Sequence, residues 1–167
     1  VDMDRLGVAG HSYGAYTAMA CAGQKLCPED NFKDPRVKAI IEMSFGPPKS
    51  RDGVSIYKDV TIPALHMTGT EDELFGRGPD EKRIPFDSIS APGQYLIILN
   101  GGDHMVFGGK GKAATEDNMN ILKASCMAFW KKYLFSDSNA AAYLDSDKDG
   151  LITLIRKTGS TYERKKP

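Results

Sequence analysis

Residues 10–16 read GHSYGAY, a serine set between two glycines with one residue on either side. A serine hydroxyl is a weak nucleophile until a nearby base takes its proton and a third group orients that base. The chain has three histidines, His11, His66 and His104. On strained strand-to-helix turns of this kind the partners follow in the chain as acid, then histidine. The order here agrees. IPALHMTGTEDE carries Glu71, Asp72 and Glu73, and YLIILNGGDHMVFGG carries His104. Ser12, one of these acids and His104 together suit acyl transfer through a covalent intermediate. His11 reads as structural, adjoining the serine but aimed elsewhere. His66 reads as structural in mid-strand. Asp103 adjoins His104 in sequence, a position from which a side chain rarely reaches the ring.

These residues need elements to position them. Arg5–Ala9, Val37–Phe45, Ile62–Gly69 and Gln94–Leu99 are short, nearly continuous apolar runs, as expected of parallel strands buried on both faces. Between and after them lie helical stretches. Ala15–Lys25 is alanine-rich. Thr115–Phe135 carries Leu122, Cys126, Phe129, Trp130 and Tyr133 on one face, with Thr115 as its cap and Glu116 and Asp117 in its first turn. Strands alternating with helices predict an α/β fold: a parallel sheet with flanking helices. Ligands of such sheets bind beyond the carboxyl ends of the strands. Ser12, the 71–73 acids and His104 all fall there. The turn at Ser12 is expected to be so sharp that only very small residues fit two before and two after it, hence Gly10 and Gly14.

GHSYGAYTAM, IPALHMTGTEDE and YLIILNGGDHMVFGG together resemble the second half of an α/β-hydrolase, over residues 1–135. They are most similar to the dienelactone-hydrolase-like, chlorophyllase-like and polyester-hydrolase-like carboxylesterases. The resemblance implies Ser12 as nucleophile, Asp72 as the acid, His104 as general base and the Tyr13 backbone N–H as one oxyanion donor. It implies a small-molecule ester substrate and no cofactor. It also implies strands ahead of the nucleophile strand, including a loop with a second oxyanion donor. The chain begins at the nucleophile strand, so the expectation is a fragment, or a sheet completed by another chain. The alternatives are a hydrolase of another acyl bond (thioester, lactone or phospholipid acyl) and a silent binding module of the same fold. Phe45, closing the second strand, is expected to line an acyl or alcohol pocket, with core packing as the alternative.

Composition bounds the rest. Hydrophobic residues are 41% and charged residues 26% of 167, as in an ordinary globular domain. Lys plus Arg equals Asp plus Glu at 22 each, which argues against a nucleic-acid binder. No apolar run approaches the ~20 residues of a membrane span. The compartment stays open among cytoplasmic, secreted and periplasmic. Cys21, Cys27 and Cys126 have no metal-ligand spacing. Cys21 and Cys126 fall in helical apolar patterns, and a Cys21–Cys27 bridge is the oxidised alternative. The stretch from Gly46 to Thr61 is too short for a lid domain. Residues 136–167 read as a polar appendage whose end frays. Within it, DSDKDGLIT places Asp145, Asp147, Asp149, Gly150 and Ile152 as in a calcium loop, but Arg156 stands where a bidentate Glu belongs. A solvated acidic turn is the better reading.

Overall fold

A computed structural model describes residues 2–27, 29–47 and 56–165. Five strands form one sheet in the order β1 (Leu6–His11), β2 (Val37–Met43), β3 (Ala64–Gly69), β4 (Gln94–Leu99), β5 (Thr161–Arg164). The first four are parallel and β5 runs antiparallel to β4. Among the described residues β1 pairs with β2 alone. The α/β expectation therefore holds, with a mostly parallel sheet flanked by helices.

Strand periodicity explains the continuous apolar runs. Successive side chains point to opposite faces. Ala39, Ile41, Leu65, Met67, Tyr95, Ile97 and Leu99 enter one core, and Val37, Ile40 and Ala64 enter the other. Helix α1 (Tyr13–Ala22) covers the second face with Ala15, Met19 and Ala22. It starts two residues earlier than the sequence suggests and stops at Gly23, a left-handed cap whose N–H reaches the Ala20 carbonyl. Two short helices, α2 (Pro79–Lys82) and α3 (Ile84–Ser88), follow the β3 loop. Helix α4 (Glu116–Phe135) covers the first face with Ile121, Leu122, Ala128 and Phe129. Thr115 caps it as expected, accepting the Asn118 N–H at 3.3 Å.

Polar side chains on the α1 face are buried as one connected group. Glu42 and His66 are register partners on β2 and β3. The Glu42 carboxyl lies 2.8 Å from His66 Nδ1, and Gln94 Oε1 lies 3.0 Å from His66 Nε2. His66 is thus held inside the sheet, away from the strand ends, in keeping with a structural role. Burial pushes the Glu42 carboxyl up, and the bond to His66 opposes that shift.

Residues 136–165 correct the appendage reading. They form α5 (Ser138–Asp145), α6 (Leu151–Thr158) and β5, and Leu144, Leu151 and Ile155 are fully buried in the first core. The polar composition misled because only one stripe of each short helix faces inward. Among the described residues the chain stays tied to the sheet after α4, with Lys165 N bonding the Gln94 carbonyl at 2.9 Å, and the last two residues, expected to fray, lie outside the described residues. All three cysteines are free and half-buried. Among the described residues no helix is long and apolar enough to cross a membrane. Half of the Gly46–Thr61 stretch, read as too short for a lid, lies outside the described residues.

Candidate active site

Past the carboxyl end of each of the four parallel strands lies a polar residue of the candidate site: Ser12 after β1, Ser44 after β2, Asp72 past β3 and His104 past β4. The sheet's hydrogen bonding continues past the strand ends and carries these residues with it. Ser12 N donates to the Met43 carbonyl at 3.0 Å, Ser44 N to Met67 at 2.7 Å, and Thr70 N to Leu99 at 2.9 Å. Glu71 N then donates to the Gly102 carbonyl at 2.9 Å, lacing the acid loop to the histidine loop. That approach requires glycine at position 69, where a Cβ would sit 2.1 Å from the Gly102 carbonyl oxygen.

Ser12 occupies the sharp strand-to-helix turn, with φ 57° and ψ −117°. A non-glycine residue at positive φ is uncommon and costs energy that the surroundings must supply. Gly10 is indispensable to the turn, because a Cβ there would meet the Gly14 carbonyl oxygen at 2.0 Å. Gly14 is different, and corrects the expectation that both glycines are required by size. A Cβ on Gly14 would meet nothing within 4 Å. The crowding is between the side chain at 10 and the backbone at 14. Tyr13 opens α1, so its N–H has no intrahelical partner and lies at the positive end of the helix. Tyr13 as a residue is 79% exposed.

Asp72 is fully buried, and its Oδ1 lies 3.3 Å from His104 Nδ1. Thr68 Oγ1 donates to its other oxygen at 2.9 Å. Glu71 is exposed at the loop surface. Asp103 turns away, its carboxylate accepting the Met105 and Val106 N–H groups, both at 2.9 Å. Among the acids singled out from sequence, Asp72 is thus the one brought to the histidine ring. Ser12 Oγ makes no hydrogen bond to His104 or to any other described residue. Such bonds are often long in a free site and tighten on substrate binding.

His11 does not point elsewhere, as its position next to Ser12 suggested. Its Nε2 lies 2.8 Å from the His104 carbonyl oxygen, and the two rings are 4.6 Å apart at a 40° tilt. Burial and then the adjacent His104 push the His11 imidazole below its ordinary 6.5.

Phe45 is also displaced from its expected place. It is 0% exposed, within the α1-side core, and the Tyr16 ring packs against it at 4.6 Å between centroids with a 56° tilt. Tyr16 lines the pocket at Ser12 instead, with Tyr13, Ser44, Gly46, Leu74, Phe75, Arg77 and Lys82. Arg77 Nη1 donates to the Gly46 carbonyl at 2.6 Å and to Tyr16 OH at 3.0 Å, while its buried Nε has no partner among the described residues.

Sequence reasoning missed Ser44 and Lys82. Lys82, only 3% exposed, donates to both Asp72 Oδ1 and Ser44 Oγ. Ser44 could have been found by the strand-end rule that picked out the acids and His104. Running the second strand on to Phe45 hid it. No local pattern marks Lys82, which reaches Asp72 from α2. The calcium-like loop does not converge: Asp145 meets Tyr95 and Lys132, Asp147 meets Arg164, and Asp149 meets Ser146. Among the described residues no three His, Cys, Asp or Glu side chains are placed to hold a metal ion. Compared with known protein families and with curated proteins, the chain matches none.

Proposed function

We propose that the chain is the catalytic part of an α/β-hydrolase that cleaves carboxylic esters through Ser12, His104 and Asp72. The observation that carries this reading is Ser12 at φ 57° between β1 and α1, on the same sheet edge as a buried Asp72–His104 pair. A strained turn that projects a serine at a helix N-terminus has a chemical use and no evident packing use.

The steps follow from the groups present. Ser12 Oγ attacks the ester carbonyl carbon while His104 Nε2 takes its proton. The oxyanion that forms meets the Tyr13 N–H, a donor fixed before the reaction and worth a few kcal/mol of barrier, on the order of 3. Collapse expels the alcohol, which takes the proton from His104, and leaves an acyl-Ser12 ester. Water, deprotonated by the same imidazole, then releases the carboxylic acid and restores Ser12. Asp72 stabilises the imidazolium that appears in both halves. The pocket beside Ser12 is walled by Tyr13, Tyr16, Leu74 and Phe75, which suits an apolar acyl or alcohol group.

The test is intact mass after reaction with a fluorophosphonate. The expected outcome is one adduct on the wild type and none on Ser12→Ala, with p-nitrophenyl ester hydrolysis lost in the same variant. A folded wild type that takes no adduct would instead favour a silent binding module. Adduct formation without ester turnover would point to another acyl bond.

A further inference from the structure

Ser44 stands between the acid and the histidine. Its Oγ is 2.6 Å from His104 Nδ1 and 2.9 Å from Asp72 Oδ1, whereas His104 Nδ1 and Asp72 Oδ1 are 3.3 Å apart. Lys82 Nζ lies 3.1 Å from the same Oγ and also bonds Asp72. We propose that Ser44, backed by Lys82, is a positioning residue that fixes the tautomer of His104.

The argument is one of donors and acceptors. A hydroxyl has one hydrogen and two lone pairs, an ammonium only donates, and a carboxylate only accepts. The Lys82 ammonium therefore donates to Ser44. The single Ser44 hydrogen must go to Asp72, because otherwise two acceptor oxygens would face each other across 2.9 Å with no hydrogen between them. Ser44 then has only a lone pair to offer His104 Nδ1, so Nδ1 carries the ring proton and Nε2 keeps its lone pair. Every valence of the hydroxyl is used. The direct Asp72 contact asks for the same tautomer, but it is the longer of the two.

The backbone adds a second observation. Ser44 is a non-glycine residue at φ 54° and is 3% exposed. Glycine would adopt that conformation without strain. The strained, buried serine has its hydroxyl fully engaged by acid, base and lysine, contacts that a glycine could not make.

The role rests on the proposed hydrolase chemistry for its use, but its signature can be read without turnover. The experiment is the ¹⁵N spectrum of the histidine rings at about pH 8.5, two units above the ordinary imidazole value. His104 is assigned against His104→Gln among the three histidines. The wild type should show His104 as the Nδ1–H tautomer. Ser44→Gly, which suits the backbone and should stay folded, should shift His104 toward Nε2–H. Its kcat should fall about 10–100-fold with KM unchanged, since Asp72 still holds part of the orientation. Ser44→Ala is the second variant should the glycine disturb the turn. An Nε2–H tautomer in the wild type, or an unchanged Nδ1–H tautomer in Ser44→Gly, overturns the assignment. A tautomer shift in a protein that neither labels nor hydrolyses upholds the role of Ser44 and rejects the esterase reading.

Discussion

His11 Nε2 can approach the His104 carbonyl oxygen only as a donor, because a carbonyl accepts. Nε2 therefore carries a proton across the histidine loop, and Nδ1 is the nitrogen left to titrate. Protonation adds a charge to a partly buried ring beside His104, and the pocket resists it. The sign follows from linkage. The folded value lies below the unfolded 6.5, so the contribution is present above 6.5 and is lost as pH falls through the folded value. His11→Gln keeps a side-chain N–H and removes the titration. Between about pH 7.5 and pH 5, its melting temperature should therefore fall less than that of the wild type. Parallel losses in both proteins, measured by circular dichroism, would show that His11 plays no part in the acid sensitivity.

The elements act on the site through the closeness of their ends. β1 and α1 meet at Gly10 and Gly14 so tightly that the first glycine has no room for a methyl, while the second does. Gly10→Ala forces backbone to move and should cost about 3 kcal/mol or more, with loss of fluorophosphonate labelling at Ser12. Gly14→Ala should fold normally and gain up to about 1 kcal/mol, because alanine favours the helix. Equal denaturant midpoints for the two variants would refute this asymmetry. The same logic applies where β3 and β4 end. Gly69 lets the loop bearing Asp72 lie against the loop bearing His104, and the Thr70 and Glu71 amides fasten the two together.

For the whole molecule, the last thirty-odd residues decide whether the first core is closed. Leu144, Leu151 and Ile155 are fully buried there, and β5 pairs with β4. Burying three such side chains contributes about 5–9 kcal/mol. That is comparable with the ~5–15 kcal/mol net stability of a domain. The segment also touches the site, since Asn100, at the start of the histidine loop, donates to the Thr158 carbonyl at 3.1 Å and to Ser160 Oγ at 3.0 Å. Truncation after Phe135 should abolish cooperative melting and expose the β4 side of the sheet to limited proteolysis. A truncated protein that melts like the full chain would restore the appendage reading.

Periodicity and glycine placement were enough to read the parallel strands, α1, α4 and its Thr115 cap, because those signals are local. The same signals put Ser12, the 71–73 acids and His104 at one sheet edge. Three things needed the tertiary structure. Lys82 joins Asp72 from a helix with no distinctive pattern. Ser44 turns into the site only because β2 stops at Met43 and the backbone then takes a left-handed angle. Phe45 goes under the site and Tyr16 into the pocket, a choice made by packing between α1 and β2. Chain order and residue type are written along the sequence. The direction of a hydroxyl, the burial of a lysine and the face a ring takes depend on neighbours that only the folded sheet brings together.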